Sequence, residues 1–218
     1  MASLAGRRPR LTLAAAVLAA VAVSAGLQSR PPKAAKLTLT PVVARVLEDG
    51  GSPRIGARDP EVVVVVFTDY RCAICRRTDP ALERLIATDP GVQVIYKDWP
   101  ILGAASEDAA KVALAARSQG KYLQVHRALM TAKGPLDADG LRRAVASAGA
   151  DWERLQADRA AQAQAIEAQL AGHASQAWSL GFRGTPAYLV GPYRVEGGLD
   201  DRDLSRLVAE ARKSGPPR

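Results

Sequence analysis

Residues 62–66 are five consecutive valines, followed by Phe67. A β-branched run that does not alternate predicts a strand covered on both faces, in the middle of a sheet. The period then changes. Leu82, Leu85 and Ile86 recur at helical spacing, so a buried strand feeds a helix. After the turn Asp89-Pro90-Gly91, residues 92–96 read as a second strand, and a helix between two strands predicts parallel pairing through a right-handed crossover. From residue 104 to about residue 180 the spacing is helical throughout. Ala109, Val112, Ala113 and Ala116 make one stripe, Tyr122, Val125 and Leu129 a second, Leu141, Ala144, Val145 and Ala148 a third, and Ala163, Ile166, Leu170 and Ala177 a fourth. Gly120, Gly134-Pro135, Gly140, Gly149 and Asp151 mark breaks or caps between them.

Beyond this stretch Pro186 stands directly before a short apolar segment. Proline cannot donate to a ladder, so it belongs at a strand start or in a tight turn. Gly191-Pro192 turns the chain into another strand over residues 193–196, and residues 200–213 form a closing helix with Leu204, Leu207, Val208 and Ala211 inward. Ahead of the valines, residues 37–48 suit a short edge strand or a helix, and turn clusters at 49–53 and 56–60 punctuate the approach. Strand, helix, strand, helical insertion, hairpin and helix is the order of an α/β thioredoxin fold interrupted by a helical domain.

The opening residues read differently. Arg7, Arg8 and Arg10 precede an uncharged, alanine-rich run over residues 11–25 that closes on Val23-Ser24-Ala25, a small-x-small pattern. This is the layout of an export signal. A membrane anchor over residues 11–27 is the alternative, since that run just reaches the roughly 17 residues a spanning helix needs. Either way the bulk of the chain is expected outside the cytoplasm, in the periplasm, where disulfides persist. The expected divisions are 1–25 signal peptide or anchor, 26–48 linker and N-terminal segment, 49–103 first part of the α/β fold, 104–180 helical insertion, 181–213 second part, and 214–218 tail. The leader carries three of the formal +8 charges of the 218 residues. The other Lys and Arg are scattered among Asp and Glu, with no basic block interleaved with aromatics, which argues against nucleic acid as a partner.

Cys72 and Cys75 are the only cysteines, separated by Ala73 and Ile74 where the valine strand gives way to the helix. A helix opening offers unpaired N–H groups and a positive dipole end, both of which favour a thiolate. Two sulfurs at this spacing can close a small disulfide ring and reopen it. An inert local disulfide is the bland reading. A zinc site needs about four ligands, and the only histidines, His126 and His173, lie far apart and outside any His-x₃₋₅-His pattern. Each falls on or beside a helical stripe, as packed or groove-lining histidines do.

Three separated segments carry a family resemblance: Phe-Thr-Asp-Tyr-Arg-Cys-Ala-Ile-Cys at 67–75, Tyr-Lys-Asp-Trp-Pro-Ile-Leu-Gly at 96–103 and Gly-Thr-Pro-Ala at 184–187. With them the chain resembles the exported DsbA family of thiol–disulfide oxidoreductases. The resemblance implies Cys72 as nucleophile, Cys75 as resolving thiol, and Thr185-Pro186 as a substrate-binding loop with a cis proline bond facing the cysteines, with Ile74 as a further substrate contact. It implies no metal or organic cofactor beyond the redox-active Cys72–Cys75 pair. The implied partners are reduced or misoxidised exported proteins and a membrane redox partner that resets the dithiol. A monomeric disulfide-forming oxidase is expected, and an isomerase or reductase is the alternative. Isomerases of related type usually bring an oligomerisation segment, for which residues 37–48 are short.

The chain departs from the family pattern at two places. The Ala-Ile dipeptide between the cysteines lacks the polar residue of strongly oxidising relatives, leaving Arg71, Arg76 or Arg77 as candidate charges near the thiolate. Six residues before Cys72, where many thioredoxin-like proteins bury a proton-moving carboxylate, stands Val66; Asp69 is the nearer candidate for tuning, or a loop cap. Two other classes remain: a non-catalytic interaction protein that kept the fold, and a soft-metal carrier, for which Met130 sits unhelpfully in mid-helix.

Overall fold

The computed structural model describes residues 33–215, so the apolar leader lies outside the described residues. The centre is a six-stranded sheet in the order β1-β6-β5-β3-β4-β2, comprising β1 Ala35–Lys36, β2 Arg54–Gly56, β3 Val62–Thr68, β4 Val92–Asp98, β5 Ala187–Val190 and β6 Tyr193–Glu196. Strand β3 pairs parallel with β4, from Val62 opposite Val92 to Thr68 opposite Asp98, and antiparallel with β5.

The valine run explains itself once both faces are filled. Val62, Val64 and Val66 point into one apolar cluster, while Val65 and Phe67 point into the other. The first cluster is closed by helix α2 (Ala73–Thr88), by α8 (Asp201–Ser214) and by the helical insertion. The second is closed by α1 (Pro41–Leu47), Trp99, Ala177, Leu180 and Phe182. A side chain of this size contributes about 1.5–3 kcal/mol when fully buried, so a sheet filled on both faces holds β3 and everything attached to its end.

Residues 37–48 resolve as the helix α1, entered by Thr40, whose side chain accepts from the Val43 N–H, and by Pro41 in the first turn. The insertion runs through α3 (Ala104–Ala115), a 3₁₀ turn (Ala116–Gln119), α4 (Tyr122–Thr131), α5 (Ala138–Ser147), α6 (Trp152–Ala161) and α7 (Ala163–Ser179). Asp137, Asp151 and Asp200 cap α5, α6 and α8 by accepting from the N–H three residues on. Helix α6 buries only Leu155, which is why no stripe announced it.

The end of β4 carries two charges into the interior. Successive side chains of a strand face opposite ways. Lys97, fully buried, reaches Asp49 and Ser52 on one side, and Asp98, also fully buried, meets Tyr70 and Tyr122 on the other.

Candidate redox site

The two cysteines sit where β3 hands over to α2. Cys72 is the N-cap of α2, in extended conformation, and its Sγ accepts from the Cys75 N–H at 3.2 Å. A sulfur therefore occupies the place where Ser or Asp usually satisfies the first free N–H groups of a helix. The Cys72 thiol lies 3.3 Å from the Thr185 carbonyl, 113 positions away in sequence. The Thr185–Pro186 bond is cis, at the start of β5. Both cysteines are free thiols and both are buried.

Their electrostatics differ sharply. A hydrogen bond from the Cys75 thiol, with the Cys75 and Ile74 N–H groups and the Thr185 side chain, outweighs partial burial and lowers the Cys72 pKa from the ordinary thiol range to about 6. Cys75 goes the other way. Burial first, and then its bond to Cys72, push its thiol far above the usual range, and the Asp69 backbone and the Thr68 side chain only partly offset this. At neutral pH the pair is a thiolate beside a thiol.

Asp69 is buried and accepts from the Arg71, Ile101 and Leu102 N–H groups and the Ser106 hydroxyl, at 2.7–3.0 Å. It fastens the loop before Cys72 to the Trp99–Gly103 bend and to the first turn of α3. The Arg71 guanidinium donates to the Leu102 carbonyl at 3.0 Å, and that of Arg76 donates to the Met130 and Ala132 carbonyls at the end of α4. Both arginines thus pin backbone around the site, while Arg77 is exposed. Ile74, Ile101 and Leu102 are among the few exposed large apolar side chains, and they form an apolar border to the site.

Sequence reasoning missed three contributors. A Cβ at Gly198 would come within 2.6 Å of Thr78 Cγ2 and 2.9 Å of Ile74 Cγ2, so the backbone there forms a wall against the first turns of α2. The Gly197-Gly198 pair was the one available signal. Tyr70 and Asp98, each inside a motif segment, are buried together, with the Tyr70 hydroxyl donating to Asp98 at 2.8 Å. His126 joins this group, whereas His173 lies across β4, bonded to Ser52 and to the Asp98 carbonyl. Burial and the nearby Lys97 lower the His173 pKa to about 4, so it is neutral.

Comparison with known proteins agrees with this layout. The family described as DSBA-like thioredoxin domain matches residues 63–207. A thioredoxin-like oxidoreductase from Silicibacter pomeroyi DSS-3 superposes with a TM-score of 0.73 at 39% identity, covering 77% of this chain and 96% of that one. The thiol-disulfide exchange protein α-DsbA2 from Wolbachia pipientis gives 0.73 at 30% identity, over 77% and 90%. A periplasmic thioredoxin-like protein from Salmonella enterica serovar Typhimurium gives 0.68 at 28% identity, over 81% and 99%. Among curated sequences, Na(+)/H(+) antiporter NhaA 1 of Mycobacterium sp. is 27% identical over 186 residues, which is 84% of this chain but 30% of the antiporter. The chain therefore spans under a third of the length of such relatives. None of the described helices is long and apolar enough to cross a membrane.

Proposed function

The chain belongs to the DsbA-like thiol–disulfide oxidoreductases of the thioredoxin superfamily, and from that premise we propose that it is an exported oxidase that passes the Cys72–Cys75 disulfide to client proteins. The observation that carries the reading is the asymmetry of the two sulfurs, with a thiolate at the helix opening under the Thr185–Pro186 loop and a buried thiol behind it. In the oxidised form a client thiolate attacks Cys72 Sγ. The Cys72–Cys75 bond breaks, and Cys75 leaves with the electron pair and takes up a proton. A second client thiolate then attacks the client sulfur of the mixed disulfide and expels Cys72 as its thiolate. The client loses two electrons, and the protein ends as a dithiol.

The same asymmetry supports the oxidising direction. Holding Cys72 as a thiolate stabilises the reduced pair, so the disulfide becomes the better oxidant and Cys72 the better leaving group. Ile74, Ile101 and Leu102 supply apolar contact for an unfolded client, and Ile101 continues into a cleft of about 480 Å³ with Trp99, Leu170 and Trp178. A membrane redox partner reoxidises the dithiol, and the protein works as a monomer in the periplasm.

The test is turnover. Oxidised protein mixed with a reduced, unfolded protein that carries two cysteines is expected to transfer its disulfide, and Cys72→Ser is expected to transfer none. The reduction potential decides the direction, with a value near about −120 mV marking an oxidase and one near about −270 mV a reductase.

A further inference from the structure

The cleft that opens beside Ile101 holds charge as well as apolar surface. Its floor and far wall come from one face of α7, where Glu167, Leu170, Ala174 and Trp178 recur at steps of three and four residues. Trp99 stands on the near side, and α3 adds Glu107 and Lys111, one turn apart.

Trp178 is the most exposed large apolar side chain among the described residues, at 57%. It stands edge-to-face against Trp99, with ring centroids 5.0 Å apart at 87°, yet Trp99 is 2% exposed and already packs on Phe67. Trp99 thus braces one side of the Trp178 indole, and more than half of that side chain stays open to solvent. An open indole at the edge of a cleft marks a contact surface better than it serves a core.

The charges lining the cleft do not cancel. Lys111 on α3 pairs with Glu167 on α7 at 3.2 Å. Glu107 is exposed and has no ionic partner among the described residues. Two carboxylates therefore face one ammonium, which leaves a local negative charge beside the open indole in a chain of formal charge +8.

That combination discriminates between occupants. An acidic side chain would be repelled by Glu107. An apolar one would cover Trp178 but leave the neighbouring carboxylate unpaired as water is displaced. A lysine could pair with Glu107, but its ammonium is compact and strongly hydrated. A guanidinium meets both groups, because its planar face stacks on an indole and its fork of N–H donors matches a carboxylate. The apolar stem that carries it suits Leu170 and Ala174.

We propose that this cleft is a subsite for an arginine of the client protein, held by Trp178 and Glu107 while a cysteine of the same extended segment reaches Cys72. The proposal rests on the redox reading above and names the clients that reading would favour. The cleft and the reactive sulfur are fastened to one residue. The Ile101 and Leu102 N–H groups donate to the Asp69 carboxylate, and the Cys72 N–H donates to the Asp69 carbonyl at 3.1 Å. A volume of about 480 Å³ admits a side chain together with the backbone that carries it.

The experiment compares arginine with citrulline, which has nearly the same shape and no charge. Short reduced peptides with two cysteines carry one or the other about two to eight residues from the first cysteine, a span covered at about 3.3 Å of extended chain per residue. Each is mixed with oxidised protein, and its rate of oxidation is measured. At the favoured position the arginine peptide is expected to react about fivefold faster than its citrulline twin, a ratio falling to about one in Glu107→Gln and about two in Trp178→Ala. Equal rates at every position overturn the subsite, and so does an arginine preference that survives both substitutions. A phenylalanine peptide that outpaces the arginine one overturns the choice of occupant and marks a plain apolar groove. A second measurement is independent of disulfide chemistry. In reduced, nitrogen-15-labelled protein the indole N–H signal of Trp178, identified by its loss in Trp178→Phe, is expected to shift with a cysteine-free arginine peptide and far less with the citrulline one. Absent or equal shifts overturn the subsite. The expected shift in a protein that oxidises neither peptide overturns the redox reading and supports arginine binding alone.

Discussion

Removing the Cys75 thiol gives the sharpest test of how the fold holds Cys72 as an anion. In Cys75→Ala the backbone N–H of residue 75, the Ile74 N–H and the Thr185 side chain remain, and only the first and largest donor to the Cys72 sulfur is lost. A hydrogen bond to a charged group contributes about 1.5–3 kcal/mol. Because a thiol is a weak donor, the low end applies, and at 1.36 kcal/mol per unit it corresponds to about one pKa unit. Cys72 is therefore expected to titrate near about 7 in Cys75→Ala, compared with about 6 in the dithiol protein. In Cys75→Ser a hydroxyl donor is restored, and the value is expected to return towards that of the wild type. The assay is the rate of alkylation by iodoacetamide against pH, read by mass on a protein with one remaining thiol. If Cys75→Ala still titrates at about 6, the thiol donor is irrelevant. A value at or above about 8.5, that of a free cysteine, would mean that the helix opening contributes nothing. Either result refutes the division of labour argued here.

Two further changes probe the support around the site. Lys97→Met leaves Asp49 and Ser52 without the buried ammonium and is expected to cost about 1–3 kcal/mol in urea denaturation, the low end applying because Asp49 is partly solvated. Burial resists ionisation of Asp49, but Lys97, Ser52 and Gly51 together hold its carboxyl far below the usual 3.8. A carboxyl lowered in the fold stabilises above its unfolded pKa and loses that contribution as pH falls, so the wild type should lose stability below about pH 4 more steeply than Lys97→Met. Asp69→Ala strips the acceptor from the Ile101 and Leu102 N–H groups and the Ser106 hydroxyl, and is expected to cost about 2–4 kcal/mol and to speed hydrogen exchange at those two amides.

Local pattern carried far in this chain, and its failures have physical reasons. The five valines announced a central strand because both faces are packed, and the helical stripes marked the elements whose inward faces are apolar. Residues 37–48 were ambiguous because a short segment with Val43, Val46 and Leu47 inward fits either period until Thr40 and Pro41 start a helix. Lys97 and Asp98 look like a solvated strand end. Their burial depends on Asp49 and Ser52 from one direction and on Tyr70 and Tyr122 from the other, partners that no window of sequence contains. Asp69 was readable as a tuning charge or a loop cap, and its four donors place it as the clasp between two loops. The nearness of Cys72 to Thr185 came from family resemblance, since periodicity says nothing about residues so far apart.

The central claim is that Cys72, and not Cys75, is the sulfur that takes the client into covalent bond. Reduced, unfolded client incubated with Cys75→Ser in the presence of a mild disulfide oxidant, then digested and sequenced by mass, tests it most directly. A mixed disulfide joining the client to Cys72 is the predicted product, with no counterpart from Cys72→Ser. Adducts forming equally at Cys75 in Cys72→Ser, or none forming at Cys72, would contradict the account.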